Sequence, residues 1–297
     1  MAVNVSVRSG RRRQVLLGLA FIAPVLLMFG WLVFYPMARG IGMSMQALNY
    51  SVGATGRFTG LVNYFSVLAD SATRGAFAHT VGYTVCAVLI EIVGGMAVAL
   101  AMRRTFRGRG VVLALLVLPW ALPKVVGGLL WSRIFATDNG LLNAVLAQVG
   151  VIHTNHAWFA DQVTAIILIS CVHAWGVLPL TSLIMLAGLQ GIPREIYAAA
   201  ELDGAGKWRQ FTRITLPLTR PSIAVALTVG STTVLALFDE IYVLNGGALM
   251  TRSVGMQIYQ TTFADLDFGR GTALAYMLTL VAAVLGIAYV RSFGRAR

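Results

Sequence analysis

Six apolar runs, each about twenty residues or longer, fill most of this 297-residue chain and leave polar intervals of at most about forty residues. They lie at about 15–35, 76–102, 111–131, 163–188, 222–244 and 272–290. A helix rising 1.5 Å per residue crosses roughly 30 Å of hydrocarbon in such a run. With 58% hydrophobic residues, 11% charged residues and a mean hydropathy of +0.77, the chain carries more apolar surface than a soluble domain tolerates. The expected fold class is therefore all-α, a polytopic membrane protein with six transmembrane helices. It divides into an N-terminal tail over 1–14 and a single membrane domain over 15–297, with nothing left over for a separate soluble domain.

The net charge of +12 is distributed by topology. With the N-terminus inside, 16 of the 23 Lys and Arg fall on the cytoplasmic side, in clusters at 8–13, 103–109, 194–220 and 291–297. Six fall outside, and Lys124 lies within a span. This is the positive-inside pattern, so the basic balance reports orientation rather than a nucleic-acid partner, and both termini are expected in the cytoplasm. Arg11, Arg12 and Arg13 precede an apolar run without an obvious small-residue cleavage site, which suggests an uncleaved first span. Cys86 and Cys171 both fall inside spans and support neither a disulfide framework nor a thiolate metal site.

One polar loop, about 192–221, is built like a folded element. Pro193 suits the first turn of a helix, and Glu195 there meets the positive end of the helix dipole. Ala198, Ala199 and Ala200 combine strong helix propensity with little bulk, and Gly204 suits a left-handed stop. A second short helix over about 207–213 returns the chain to Pro217. The order Glu195, Tyr197-Ala-Ala-Ala200, Asp203-Gly-Ala205, Phe211, Ile214, Leu216-Pro217 and Pro221 resembles the signature loop of bacterial ABC-importer permeases, most closely those of sugar importers. Further matches are Tyr35-Pro36, Gly60-Leu-Val-Asn-Tyr64, Gly140-Leu-Leu-Asn143, Leu244-Asn-Gly-Gly-Ala248, and Tyr259, Phe263 and Gly269 before the last span.

The resemblance implies a type I importer permease fold in a bacterial inner membrane and a heterodimeric pore with a second permease subunit. It also implies two ATPase subunits below, an extracytoplasmic sugar-binding protein outside, and alternating access driven by ATP. The loop would form a coupling helix seated in a cleft of the ATPase subunit, with Glu195, Tyr197, Ala198, Ala199, Ala200, Glu201, Asp203, Gly204, Ala205 and Pro217 as its signature positions. No cofactor is expected in this chain: ATP and Mg belong to the partners, and the sequence has no phosphate-binding Gly-x-x-x-x-Gly-Lys-Ser/Thr motif. The family's usual Glu at the head of the triplet is Ala198 here. Glu195 and Glu201 flank it on one helix face, so either supplies the ion pair to the ATPase or the loop couples through shape alone.

Ionisable residues within lipid are costly and mark candidate substrate contacts. Glu91 lies roughly 18 Å and Lys124 roughly 14 Å from the outer end of their spans, at similar depth. They are expected to pair, with contact to a passing sugar hydroxyl and burial among water and packed helices as the competing readings. His173 and Trp175 sit near the middle of the fourth span, where an imidazole hydrogen-bonds and an indole stacks on a pyranose, or where both simply pack. Asp239 and Glu240 end the fifth span, as exposed interfacial carboxylates or as receivers of cargo from the binding protein. Pro119 and Pro123 should kink the third span, and Pro179 should bend the fourth. An ion-coupled carrier is compatible with broken helices and buried charge but leaves the 192–221 loop without a purpose. An intramembrane enzyme lacks any His-Glu-x-x-His, paired Asp or Gly-x-Ser-x-Gly set.

Overall fold

The computed structural model describes residues 6–293; the expected tail is described only from Ser6, and Arg295 and Arg297 lie outside the described residues. Helix α1 covers 6–44, as Ser6–Phe29, a π-helical turn at Gly30–Phe34, and Tyr35–Ser44. The first span, expected over about 15–35, therefore continues as helix past Tyr35-Pro36. The π-turn widens the hydrogen-bond ladder just where Pro36 has no N–H, and Tyr35 N–H reaches back to Gly30 O. A β-hairpin follows, β1 (Gln46–Asn49) antiparallel to β2 (Ala54–Phe58), an addition to the expected all-helical fold. Gly53, at φ +71°, supplies its left-handed turn. Asn49 Nδ2 donates to Asp267 Oδ2 at 2.9 Å, and Asn63 Nδ2 donates to the Ser44 and Gln46 carbonyls, so the hairpin is tied to both neighbouring helices.

The remaining helices are α2 (Val62–Ala69), α3 (Ser71–Met102), α4 (Arg109–Ala121), α5 (Lys124–Ile134), α6 (Leu141–Gln148) and α7 (Gln162–Gln190). They are followed by α8 (Arg194–Leu202), then α9 (207–218, with a π-turn at Phe211–Thr215), α10 (Arg220–Leu235), α11 (Asp239–Asn245), α12 (Val254–Tyr259) and α13 (Phe268–Phe293). Four helical stretches, Leu17–Ser44, α3, α7 and α13, are each long and apolar enough to cross a membrane. The bent pairs α4–α5 and α10–α11 bring the number to six.

The third span is broken rather than kinked: α4 and α5 meet at 95°. Leu122 and Pro123 are extended, with ψ 140° and 134°, because a proline pushes the residue before it out of the helical region. The fifth span also breaks, by 49° between Leu235 and Asp239, without a proline to signal it. The freed carbonyl of Leu237 is taken by the Ser253 hydroxyl at 2.5 Å, which is what allows a helix to open at this depth. By contrast α7 stays one helix of 29 residues through Pro179.

At the centre, α3 and α7 form the most extensively packed pair. Gly94 and Gly95 make this possible: an added Cβ would stand 2.7 Å from Leu178 Cδ1 and 2.8 Å from Thr181 Cγ2. Buried Tyr83, Ile169, Val234, Leu237 and Ile241 join α3, α7, α10 and α11 into one core beside the two helix breaks.

Candidate functional site

The helix breaks and the α3–α7 seam converge on one polar cluster. His173 on α7 is 1% exposed, and its Nδ1 lies 2.9 Å from Glu240 Oε1 on α11. Its Nε2 lies 3.4 Å from Thr233 Oγ1 on α10 and 3.9 Å from Glu91 Oε1 on α3. One imidazole thus bridges four helices. Glu91 is 0% exposed, and neither of its carboxylate oxygens has a hydrogen-bond partner. Glycine 230 leaves the room for it, because a Cβ there would collide with Glu91 Oε2. Glu240 Oε2 is likewise buried and unpartnered.

A cavity of about 130 Å³ opens beside this cluster. Lys124, His173, Trp175, Thr233 and Glu240 supply its polar and aromatic wall, and the α4–α5 break from Pro119 to Pro123 closes one side. Trp175 is fixed edge-on against Trp131, centroids 5.7 Å apart. Four of the six residues expected along a substrate path therefore line one cavity. Glu91 stands behind it, in contact with His173, and Asp239 is not among the lining residues.

One expectation is corrected and one of two open readings is closed. Among the described residues Lys124 has no carboxylate within 4.0 Å, so the Glu91–Lys124 pair is not formed. The 95° break starts a new helix at Lys124 and turns it toward the cavity, whereas Glu91 faces α7 and α10. Glu240 is only 5% exposed, not an interfacial carboxylate, because the break after Leu235 folds α11 back against α5 and α7. Thr233 and the pair Gly127–Gly128 are missed by sequence reasoning. The doubled glycine, 3.5 Å from Trp175 and 3.3 Å from Val243 by its would-be Cβ atoms, is the one available signal of close packing there.

The polar loop forms α8 with Pro193 as its N-cap residue rather than inside its first turn, and Glu195 in that turn. Gly204 stops the helix at φ +74°, where Ala205 N–H reaches Ala200 O at 2.9 Å. The second helix is longer than expected, running through the π-turn and Pro217 to Leu218. Tyr197 OH meets Thr215 Oγ1 at 2.9 Å, which locks α8 onto α9, and the Arg103 guanidinium lies 4.2 Å over the Tyr197 ring. Glu195, Ala198, Ala199, Glu201 and Asp203 are exposed, and Leu202 is 90% exposed. Gly204→Val is expected to loosen this element by about 1–2 kcal/mol, the penalty of a side chain in left-handed backbone. Limited proteolysis should then cut between α8 and α9 faster than in the native chain.

Residues 91–295 match the protein family described as the binding-protein-dependent transport system inner membrane component. The trehalose transport system permease protein SugA of Mycobacterium tuberculosis is 31% identical over 296 residues, covering 99% of this chain and 94% of that protein. The sulfoquinovosyl glycerol transport system permease protein SmoG of Agrobacterium fabrum is 34% identical over 282 residues, covering 93% and 90%. Among solved structures, a bacterial ABC transporter involved in import of the acidic polysaccharide alginate superposes with a TM-score of 0.81 at 20% identity, covering 98% of this chain and 99% of that one. The alginate transporter in complex with an alginate pentasaccharide-bound periplasmic protein superposes with a TM-score of 0.79 at 21% identity, covering 95% of each chain.

Proposed function

Because the chain belongs to the binding-protein-dependent transport inner membrane components, as an ABC-importer permease of the sugar type, we propose that it forms half of a translocation pore in a bacterial cell membrane and couples that pore to ATPase subunits. Its partners are a second permease subunit, two ATP-hydrolysing subunits and an extracytoplasmic sugar-binding protein. Both termini are cytoplasmic, and ATP and Mg are held by the partners. The cargo is a sugar or sugar derivative. Trp175 offers it an aromatic face, Lys124 a donor, and the free oxygen of Glu240 an acceptor, at the break where two spans open. ATP-driven movement of α8 passes through the Tyr197–Thr215 contact to α9 and then to α10, which carries Thr233 and the break above it. The cargo shifts this equilibrium only through unequal affinity for the two states.

The observation that carries this reading is the outer stripe of α8. Glu195, Ala198, Ala199 and Leu202 recur at helical spacing, all exposed, with nothing among the described residues to cover Leu202. Glu195 belongs to that stripe, whereas Glu201 turns toward Arg103, Arg104 and Lys207. Glu195 is therefore assigned the ion pair that the missing glutamate at Ala198 would have made. Glu195→Lys is expected to reduce co-purification of the ATPase subunit at least about tenfold, with a smaller loss for Glu201→Lys. If no ATP-binding subunit co-purifies with the native chain, the coupling proposal fails. Unchanged assembly in both variants would mean coupling through shape alone.

A further inference from the structure

Where α3 leaves the apolar bundle, two cavities of about 490 Å³ and about 580 Å³ lie side by side and share Arg103, Arg104, Tyr197, Lys207 and Gln210 in their walls. They form one groove with two limbs. The larger limb adds Arg194, so four cations converge on it against the single carboxylate of Glu201. Among the described residues none of these four cations has a carboxylate within 4.0 Å. The smaller limb keeps Arg103, Arg104 and Lys207 and adds an apolar wall of Leu100, Trp208 and Phe211, and Trp208 is 75% exposed.

The positive-inside bias accounts for an excess of cations on one face of the membrane. It does not account for their convergence on one concavity, or for the fixed position of Arg103 over Tyr197, whose hydroxyl is itself held by Thr215. Nor does it account for an apolar wall of Leu100, Trp208 and Phe211 set beside the cations. A soluble anion would use only the first limb, and an acidic protein surface would leave the second empty. An amphiphile with an anionic head uses both. An interfacial tryptophan at the mouth is the side chain expected where a lipid crosses from headgroup to acyl region.

We propose that this groove binds an anionic phospholipid, with its phosphate among Arg103, Arg104, Arg194 and Lys207 and its acyl chains leaving past Leu100, Trp208 and Phe211. The stripe of α8 that faces the groove, Arg194, Tyr197 and Glu201, differs from the outer stripe assigned to the ATPase, so both occupants fit at once. The bound lipid would then brace the first cytoplasmic turn against the coupling loop. The site stands independently of which sugar is carried.

The test uses the full-length chain purified in detergent and titrated with phosphatidylglycerol brominated on its acyl chains, with Trp208→Phe as the difference control. A Trp208 component, native minus Trp208→Phe, quenched saturably by this lipid and not by brominated phosphatidylcholine is the expected result. The triple variant Arg103→Gln, Arg104→Gln and Lys207→Gln should raise the half-saturating concentration at least about tenfold, since each cation near an anionic lipid surface contributes measurably. Removing the same charge outside the groove, with Arg107→Gln, Arg209→Gln and Arg213→Gln, should change it less than about twofold. If the first triple variant does not fold, Arg104→Gln and Lys207→Gln singly should each raise it about threefold. Equal effects of both triple variants, equal quenching by phosphatidylcholine, or displacement by inorganic phosphate would overturn the assignment. Displacement by the ATPase subunit would overturn it too and give the groove to that interface.

Discussion

His173→Ala is expected to abolish sugar uptake and to destabilise the folded chain by about 3 kcal/mol, because it removes a shared partner from two buried carboxylates. Glu240 Oε1 loses a 2.9 Å contact, and Glu91 loses the nearest cationic-capable group, 3.9 Å away, when its own oxygens already have no hydrogen-bond partner. A double-mutant cycle with Glu240→Gln separates the energetic link from a packing defect. Thermal unfolding in detergent should show the double variant less destabilised than the sum of the singles, by at least about 1 kcal/mol. Strict additivity would mean that the imidazole and the carboxylate merely sit near each other. Charge exchange between Glu91 and Lys124 should not rescue uptake, since those side chains face different surroundings.

The same cluster shows where sequence reasoning reaches and where it stops. Hydropathy located the six spans because lipid imposes length and self-contained hydrogen bonding, which are properties of composition. It placed Glu91, Lys124 and His173 at membrane depth for the same reason, but left Glu240 at the end of its span. It did not give the pairing, because an all-apolar helix has no polar face from which to read rotation. The break at Pro123 was legible as a kink, because proline acts locally; its 95° angle came from packing of α5 on α11. The break before Asp239 left no local mark at all. Its signal lies in Ser253, sixteen residues on, which accepts the duty of satisfying Leu237 O. The hairpin at 46–58 escaped for a related reason: its strands are short, and Asn63 and Asp267, distant in sequence, hold them. The coupling loop was the most legible element, since proline, alanine and glycine each act through the backbone where they stand.

Gly95→Leu should prevent accumulation of folded chain. The α3–α7 seam is drawn together until a bare Cβ at position 95 would lie 2.8 Å from Thr181 Cγ2 and 3.4 Å from the Ser182 backbone nitrogen. Three further carbons have no space unless the helices separate. Separation would also pull Glu91 from His173, because both lie on this pair of helices. Overpacking alone amounts to about 3 kcal/mol, and the lost polar contact adds to it. Gly110→Leu on α4, where nothing lies within 4 Å of the added Cβ, is the matched control and should leave the yield unchanged. Size-exclusion profiles of detergent-extracted chain would show a monodisperse peak for Gly110→Leu and aggregate for Gly95→Leu. Adding Thr181→Ala to Gly95→Leu should recover part of the peak by removing the atom in closest conflict. A Gly95→Leu chain as well folded and as heat-resistant as the native one would mean that the α3–α7 seam is not the frame that holds the polar cluster together.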